Sequence, residues 1–518
     1  MFLPAKMTAV RIYVHEDELD NLLYEIGRLK CLHLIDARET IEGVQYVETG
    51  ETLFRIASLV SRLSSLLSTL GVEARKEVSH PLIKNLGRFL DEVEDEVGRV
   101  EDEVLRIQSE IAELKRRGVG EEDIKKLESR VAEIAEEKSE KLSSYLNVLK
   151  TLMAMEEAKG LMAKTRSIYV FEGWVPEKSL EKVTACVEKC GGYITTVSKE
   201  GPSPTVVEHS KHLKVFEILV KTYGLPSNKE IDPTVFFALS FPIIFGMMFG
   251  DIGHGLLMLT FGLLLHWVRR RIKREPTGFL SYIFNAAPLM VICAPSSVFF
   301  GFLYGEFFGN HEWFIALTGF HKPLWFSPLK SPMTLFKYAI LVGVVQISFG
   351  LILDFINKTM NRRFKEALTG PLMWMWLYWS GVYLVLTYGR DVFKVLFDPM
   401  VIGPFILLPF TAMAIVRTAL HGARGVMESL EQLISSFSHT VSYLRILALN
   451  MIHGIFSKMF LPADPLGFIA FIFGTVFVIL GFEQLLVFLH TLRLHWVEWF
   501  TKFYQGTGMK YQPFVIET

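Results

Sequence analysis

The sequence predicts a multi-domain protein: a cytoplasmic α/β lobe with a long antiparallel helical hairpin, followed by an all-α polytopic membrane domain. The chain has 518 residues, and the first 230 or so are rich in Glu, Lys and Arg. From Ile231 onward, apolar runs long enough to cross a bilayer recur. Between two regions of strand and helix patterns lies a heptad repeat of apolar residues. We therefore predict a cytoplasmic N-terminal domain at residues 1–230 and a membrane domain at 231–518.

The α/β lobe is predicted from two pieces far apart in sequence, residues 1–50 and 165–200. Each piece has an alternating strand pattern, a helical pattern and a second strand pattern. Strands are predicted at 8–15, 31–36, 167–176 and 193–197, with helices at 16–30 and 179–190. Because the two pieces repeat the same order of elements, we expect them to close one lobe together.

Residues 51–164 predict a helical arm, because apolar residues alternate at spacings of four and three over about four heptads, which is typical of a coiled coil. These residues are Leu86, Leu90, Val93, Val97, Val100, Val104, Ile107, Ile111 and Leu114. Two glycines at 118–120 interrupt the pattern before it resumes, which predicts an antiparallel hairpin. A third helix is predicted at 56–70. The arm either packs only on itself or acts as a rigid strut that transmits torque or docks partners, and both can hold.

Eight apolar segments predict eight transmembrane helices. They are 233–249, 252–268, 280–304, 334–356, 371–388, 399–417, 431–461 and 466–503. Loops after the second, fourth and sixth segments hold 11 Lys and Arg, against 4 in the opposite loops. The positive-inside rule then places the former loops and both termini in the cytoplasm, as does the lack of a cleavable signal sequence. The last two segments exceed the roughly 20 residues of a perpendicular span, so we expect them to be tilted.

Several functional classes are disfavoured by composition. The net charge of −1 gives no basic field for nucleic acid. The chain has no GxxxxGK[ST] loop, so we expect no ATP hydrolysis by this chain alone. Its four cysteines are Cys31, Cys186, Cys190 and Cys293. Cys186 and Cys190 are one helical turn apart, but no second Cys or His pair nearby completes a zinc site. We expect free thiols, no metal and no cofactor.

Arg445 and Arg493 lie inside the last two apolar segments. A charge at the bilayer centre costs about 3 kcal/mol or more, so an intramembrane arginine is a functional-site candidate. Arg445 has an alternative as a structural ion pair with Glu483 or another intramembrane acid. For Arg493 the alternative is a side chain that snorkels toward the cytoplasmic interface.

Titratable residues accompany these arginines along the same two helices. Ideal helix geometry places Glu431 about 40° and His453 about 80° from Arg445 around the axis. Glu483 and His490 are nearly eclipsed, and Arg493 neighbours His490. Glu and His exchange protons, whereas Arg stays charged. This row of titratable residues therefore predicts a proton path in which a permanently charged arginine blocks proton leakage. His439 is alternatively a packing histidine, and His495 is expected to be an interfacial anchor.

Five stretches of the chain resemble the signatures of one family, in the same order. They lie at 171–176, 241–255, 301–309, 438–445, and 489–498 followed by 503–508. Through them the chain resembles subunit a of V-type and archaeal A-type ATPases, which is called subunit I in prokaryotes. The matches are spread over most of the sequence.

This resemblance implies a membrane stator subunit beside a rotating ring of proteolipids, with one aqueous half-channel open to each side. Arg445 and Arg493 match the arginines that meet the ring carboxylate. The resemblance places Glu431, His453, Glu483 and His490 on half-channel positions, and His439 and Ser442 are further half-channel candidates. Implied partners are the ring, peripheral stalks, a central-stalk collar and membrane lipid, in a prokaryotic cell membrane. Whether protons or sodium ions move is left open.

The chain departs from the family in its arm, where no second α/β lobe is evident between 86 and 164, and at Ser435 and Asn450. Two alternatives to the rotary subunit remain. A secondary transporter would bind an anionic substrate at the arginines and would show inverted repeats, which are not evident. A purely structural anchor would tolerate neutral residues at Glu483, His490 and both arginines.

Overall fold

The computed structural model describes residues 4–37, 45–46, 49–72, 85–117, 121–197, 203–207, 209–210, 213–272, 278–389, 398–462 and 465–516. The chain divides into two compact units. The first unit comprises Ala5–Val206 and Met509–Thr518, and the second comprises Pro4 and Val207–Gly508. This division falls before the boundary of 230 that composition predicts, and it assigns the C-terminal tail to the first unit. Composition does not reveal such an assignment, because it depends on long-range contacts of a short segment.

The first unit contains all eight strands of the described residues and five helices. The strands are β1 (Met7–His15), β2 (His33–Ile35), β3 (Gln45–Tyr46), β4 (Ala163–Lys164), β5 (Ile168–Pro176), β6 (Tyr193–Thr196), β7 (Pro204–Thr205) and β8 (Met509–Lys510). The helices are α1 (Leu19–Leu29), α2 (Gly50–Thr69), α3 (Leu86–Arg117), α4 (Glu121–Lys159) and α5 (Leu180–Lys189).

The main sheet joins two pieces of the chain that are distant in sequence. β1 pairs antiparallel with β5 from Met7 opposite Pro176 to His15 opposite Ile168, and it pairs with β6 on its other edge. β2 and β4 both pair with β5, and β3 pairs with β4. Strand β5 therefore lies between β1 and β2, while β1 lies between β5 and β6. Each strand–helix–strand piece is split by a strand of the other piece, so neither forms the sheet alone.

Helices α2, α3 and α4 share one apolar core. Six predicted heptad positions of α3 are buried there: Leu90, Val93, Val97, Val100, Val104 and Ile107. Leucines of α2 and α4 pack against them. The predicted third helix therefore packs beside the hairpin, and ion pairs Arg55–Glu94 at 2.7 Å and Arg62–Glu101 at 2.5 Å fasten it to α3. The turn predicted at 118–120 lies outside the described residues, and a supercoil of these helices stays a prediction.

The C-terminal tail completes the α/β lobe. β8 pairs in parallel with β7. Beyond it, the amide of Phe514 donates to the Leu32 carbonyl at 2.7 Å and the amide of Ile516 donates to the Gly27 carbonyl at 3.2 Å. The Ile516 side chain is 1% exposed in the core of the lobe. A Cβ atom at Gly27 would lie 2.6 Å from Ile516, so the glycine is what lets the tail approach this closely.

The second unit is helical. Its helices are α6 (Lys214–Tyr223), α7 (Thr234–Met248), α8 (Ile252–Arg271), α9 (Phe279–Tyr304), α10 (His311–Thr318), α11 (Pro332–Met360), α12 (Phe364–Ala367), α13 (Met373–Tyr388), α14 (Pro399–Ile402), α15 (Leu408–His421), α16 (Arg424–Ser442), α17 (Leu444–Met459), α18 (Pro465–Phe473), α19 (Gln484–Arg493) and α20 (Thr501–Phe503). π-helical turns at Leu368–Leu372, Gly403–Leu407, Gly474–Glu483 and Leu494–Phe500 join successive helices.

Five helical runs among the described residues are long and apolar enough to cross a bilayer. They are Ile252–Arg271, Ile283–Tyr304, Pro332–Met360, Pro399–Leu420 and Gly467–Phe503. Two further predicted segments correspond to shorter apolar helices, α7 with 15 residues and α13 with 16. The architecture is that of a helical membrane subunit, while the number of eight spans stays a prediction.

The two predicted long segments differ in continuity. The last one is a single helical run of 37 residues, Gly467–Phe503. The segment predicted at 431–461 is instead interrupted at Tyr443, between α16 and α17. Tyr443 is fully buried, and its hydroxyl donates to Gln346 of α11 at 3.0 Å. A Cβ atom on Gly343 of α11 would stand only 2.6 Å from the Tyr443 ring, so only a glycine allows the ring to pack this closely. This close packing on α11 accompanies the interruption, and hydropathy does not reveal it.

The junction between α7 and α8 depends on the buried carboxylate of Asp251. Its Oδ1 accepts the amide N–H of His254 at 2.9 Å and that of Phe308 at 3.0 Å, and its Oδ2 accepts that of Gly309 at 2.7 Å. One side chain therefore caps α8 and holds the turn that follows α9. Asp251 is fully buried, and so are its bonds from His254 and Gly309, so without the carboxylate at least these two N–H groups lack an acceptor.

We expect Asp251→Ala to destabilise the second unit by about 3 kcal/mol or more, because each buried donor left unpaired costs about 1–3 kcal/mol. The matched control is Asp398→Ala, which removes a similar cap, to the amide of Met400, at an exposed helix start. That change should cost about 1 kcal/mol. Unfolding of the purified full chain by SDS titration in mixed micelles measures both. Equal losses in the two variants would contradict this account of Asp251.

For the tail, we expect Ile516→Ala to destabilise the α/β lobe by about 2–4 kcal/mol through loss of buried side-chain volume. Ile168→Ala in β5 is the control, because Ile168 is 44% exposed in the same lobe, and it should change stability by about 0.5 kcal/mol or less. Pulse proteolysis of the detergent-solubilised full chain across a urea series measures the loss. A silent Ile516→Ala variant would show that the tail is not part of this core.

Candidate functional site

Arg445 forms an ion pair with Glu498, an acid of the other long helical run. The Nη1 atom of Arg445 donates to Oε1 of Glu498 at 2.8 Å. The two partners differ in exposure, because the Glu498 side chain is 2% exposed whereas that of Arg445 is 23% exposed. The carboxylate thus holds the guanidinium from the protein side and leaves part of it at the surface. An ion pair with Glu483 or another intramembrane acid is the alternative predicted for Arg445 from the sequence. The structure has such a pair, and the acid is Glu498.

A second cation lies near the same carboxylate. Lys502 is buried, its Nζ stands 4.2 Å from the centroid of the Trp374 ring, and its charge interacts with Glu498. Arg445 and Lys502 thus both interact with the one buried carboxylate of Glu498. Glu498 is therefore suited to position Arg445 from inside the protein.

Each of the two arginines continues an exposed row of apolar side chains. Ile434, Phe437 and Val441 precede Arg445 at spacings of three and four residues, and they are 67%, 74% and 41% exposed. Residues three and four apart lie on one face of a helix. On the other helical run, Phe482, Leu485 and Leu489 precede the exposed Arg493 in the same way and are 48–60% exposed. We call these rows the two apolar stripes. Each stripe offers an apolar surface with a single cation in it.

The remaining predicted residues differ in their surroundings. Glu431 is exposed and Ser442 is half-buried, and the Ser442 hydroxyl donates to the Ser438 carbonyl at 3.1 Å. His439 is half-buried, with its Nε2 3.0 Å from the Ser435 hydroxyl, so the structure gives it a local packing partner. His490 is half-buried, and the charges of both arginines act on it. His495 is fully buried, with its Nε2 2.8 Å from the Ser240 hydroxyl. The expectation of an interfacial anchor is therefore wrong for His495, because α7 covers its ring.

His453 and Glu483 form the second acid–base pair of the site. His453 Nδ1 lies 3.0 Å from Glu483 Oε1, and both side chains are 1% exposed. The ring of His453 packs against those of Phe249 and His254, with centroids 4.5 Å and 5.2 Å apart. Such a pair can pass a proton between a carboxylate and an imidazole inside an apolar environment, which a guanidinium cannot do.

Sequence reasoning missed four residues of this region. Glu498 and Lys502 follow Arg493 in the last helical run, and Asp251 and His254 stand at the start of α8. One observation could have indicated the latter two: an acid and a histidine three residues apart within an apolar stretch share one helix face. Their approach to His453, which is about 200 residues away in the sequence, is visible only in the fold.

Comparison with known proteins identifies one family. The model of the V-type ATPase 116kDa subunit family matches residues 84–323 and 423–516. Subunit I of the A-type ATP synthase of Archaeoglobus fulgidus is 30% identical over 403 residues, covering 67% of this chain and 58% of the relative. The vacuolar proton translocating ATPase 100 kDa subunit of Dictyostelium discoideum is 26% identical over 477 residues, covering 67% of this chain and 58% of the relative. Subunit a1 of the V-type proton ATPase of Arabidopsis thaliana is 25% identical over 477 residues, covering 68% of this chain and 58% of the relative.

The chain spans about three-fifths of the length of these relatives. Both matched regions of the family model include parts of the membrane unit, and the second includes the helices of Arg445 and Arg493. Since the family model covers more than half of the chain, the chain belongs to the V-type ATPase 116kDa subunit family, which includes subunit a of V-type ATPases and subunit I of A-type ATP synthases.

Proposed function

We propose that this chain is the membrane stator subunit of a rotary A/V-type ATPase or ATP synthase, and that it moves protons across the membrane against a rotating proteolipid ring. Sodium is the alternative ion. The relatives that it resembles are named as subunits of such machines. The chain has no phosphate-binding GxxxxGK[ST] loop, so nucleotide chemistry belongs to partner subunits.

The single observation that carries this proposal is the unequal burial of the Arg445–Glu498 pair. A structural ion pair in a membrane protein needs no outward face. Here the acid is buried and the cation is partly exposed, in line with one of the two apolar stripes. Only one of the five N–H donors of an arginine is used in the bond to Glu498. The guanidinium can therefore receive a second carboxylate from outside the chain.

The apolar stripes suit a ring of lipid-embedded helices as that outside partner. An apolar helix face carrying one carboxylate is complementary to a stripe carrying one cation. An ionised carboxylate in hydrocarbon is costly, and a nearby cation stabilises it at one place along the path. A protonated ring carboxyl thus crosses the lipid, ionises when it meets Arg445 and Arg493, and releases its proton on one side only.

The half-channels supply and remove those protons. We assign the buried pair His453–Glu483 to one of them, because a carboxylate and an imidazole at 3.0 Å can exchange a proton without water between them. The same proposal places three more residues at the edges of the path: His490, on which both arginine charges act, the exposed Glu431 and the half-buried Ser442. His439 is included as a lining residue through its contact with Ser435.

The helical arm of the first unit is assigned to the static connection. Its three helices share a continuous apolar core and carry charged residues outside, which suits a strut in water. We propose that the arm binds peripheral-stalk subunits and that the domain contacts the collar of the central stalk. The termini and this domain lie on the cytoplasmic side of a prokaryotic cell membrane, as the distribution of Lys and Arg in the loops favours.

Arg445→Ala should abolish ATP-driven ion pumping while the complex still assembles, because the ring carboxylate then loses the cation that Glu498 holds in place, and Arg493 alone does not replace it. The matched control is Arg417→Ala, since Arg417 is also a little-exposed arginine of a membrane helix near an acid, with Glu428 at 3.6 Å. Pumping is measured with a pH-sensitive dye in vesicles containing the assembled complex. Normal pumping by the Arg445→Ala complex would exclude the proposed role, and a structural anchor would be favoured.

Glu483→Gln tests the proton path. Glutamine keeps an acceptor for His453 but cannot exchange a proton at neutral pH, so we expect proton flux to fall by roughly tenfold or more. Glu312→Gln, at an exposed position of α10, is the control and should leave flux unchanged. Flux is measured in the same vesicles, and assembly is checked by co-purification of the ring. Full flux with Glu483→Gln in an assembled complex would remove this pair from the path.

A further inference from the structure

Asp251, His254 and His453 place three metal-ligating groups together inside the second unit. One donor atom from each lies within 4.8 Å of the others. All three side chains are at most 1% exposed. Asp251 and His254 come from the start of α8, whereas His453 comes from α17, so the cluster is created by packing of helices distant in sequence.

His453 is oriented as histidine ligands of metal ions usually are. Its Nδ1 faces the Glu483 carboxylate at 3.0 Å, which favours the tautomer with the proton on Nδ1. Its Nε2 then carries the lone pair, and among the residues that the structure describes this buried atom has no hydrogen-bond partner. A carboxylate behind the ligating imidazole is the usual outer support of a metal site, because it fixes the ring and raises its basicity.

His254 is the least satisfied member of the cluster. Its Nδ1 lies 3.2 Å from Asp251 Oδ1 without hydrogen-bond geometry, and within the described ranges neither ring nitrogen has a hydrogen-bond partner. A buried polar atom without a partner costs about 1–3 kcal/mol, so two such nitrogens call for a ligand. The Asp251 carboxylate is held rigidly by three backbone amides and has about four acceptor positions, so it can also bind an ion.

We propose that Asp251, His254 and His453 form a binding site for a divalent transition-metal ion, with Zn²⁺ as the ion that fits best. Two imidazole nitrogens and one carboxylate oxygen suit Zn²⁺, whereas Mg²⁺ and Ca²⁺ prefer oxygen ligands alone. Three protein ligands leave a fourth position for water. Zn²⁺ bonds of about 2.0–2.2 Å require the three donor atoms to draw together by about 1 Å.

A bound Zn²⁺ would also inhibit ion movement, and this consequence rests on the proposed function. The metal takes the Nε2 lone pair of His453, so the imidazole can no longer accept a proton there. The His453–Glu483 pair then stops exchanging protons with the rest of the path. A bound Zn²⁺ thus inhibits proton transport. Binding of Zn²⁺ does not itself depend on transport and can be measured separately.

The binding test uses the purified full chain in lipid nanodiscs. Its Cys186→Ser/Cys190→Ser form is the background, which removes the one pair of thiols that could compete for the metal. Burial raises the pKa of the Cys186 thiol to about 11, so this pair is already a poor ligand at neutral pH. Zn²⁺ binding is measured by competition with a chromophoric chelator, and Co²⁺ is used as a probe because its visible absorption reports tetrahedral coordination.

We expect one Zn²⁺ per chain, with affinity lowered tenfold or more by His254→Gln and by His453→Gln. His321→Gln, at an exposed loop histidine, is the matched control and should bind as the background does. Thermal unfolding verifies that each variant is folded. Zinc K-edge X-ray absorption of the unvaried chain gives a second measurement, and it should show nitrogen and oxygen ligands only. The absence of stoichiometric binding, equal affinity in all variants, or a sulfur shell would each overturn the site.

Proton flux in vesicles of the assembled complex separates the two proposals. Inhibition by Zn²⁺ that His254→Gln relieves at least tenfold supports both the site and its position on the path. Stoichiometric binding without inhibition keeps the metal site and removes His453 from the path. If Glu483→Gln lowers the proton flux as expected but the chain binds no Zn²⁺, the proposed proton path is retained and the metal site is rejected.

Discussion

The contact between Arg445 and Glu498 is the interaction on which the membrane site depends. A guanidinium in the hydrocarbon core of a membrane is costly unless it is paired with an acid, and breaking such a pair leaves an uncompensated charge. Because Glu498 is the buried member, the pair is anchored from inside the protein. The cation therefore keeps its position without losing its outward face. An inverted arrangement, with a buried arginine and an exposed acid, would stabilise the fold equally well but offer nothing to a passing anion.

The local backbone explains how Glu498 reaches Arg445. Glu498 lies in the π-helical turn Leu494–Phe500 within the last helical run. A π-helical turn shifts the residues that follow it around the helix axis, and such turns are frequent at functional sites. The next residue, Trp499, packs so closely on α11 that a Cβ atom at Gly350 would stand 2.9 Å from its ring. The glycine and the wide turn together position the acid.

Much of the fold follows from local patterns in the sequence, and most of the site does not. Alternation and heptad spacing predict the strands around β1 and β5 and the buried positions of α3, because each depends on neighbouring residues alone. The depth of apolar segments likewise predicts Arg445 as a charge that needs a partner. Glu498 was missed because straight-helix geometry does not include a π-helical turn. The tail at Ile516 and the pairing of His254 with His453 depend on contacts between distant segments, which no local pattern contains.

In the proposed proton path, the two acid–base pairs of the site have different roles. In Arg445–Glu498 the cation never loses its proton, so the pair can hold an electrostatic position but cannot conduct. In His453–Glu483 either partner can carry the proton, so the pair can conduct but cannot serve as a permanent barrier. Exchanging their roles would leave the path either blocked or leaking. The presence of both pairs in one helical unit, one partly exposed and one fully buried, is therefore what a directional path needs and what a simple anchor does not.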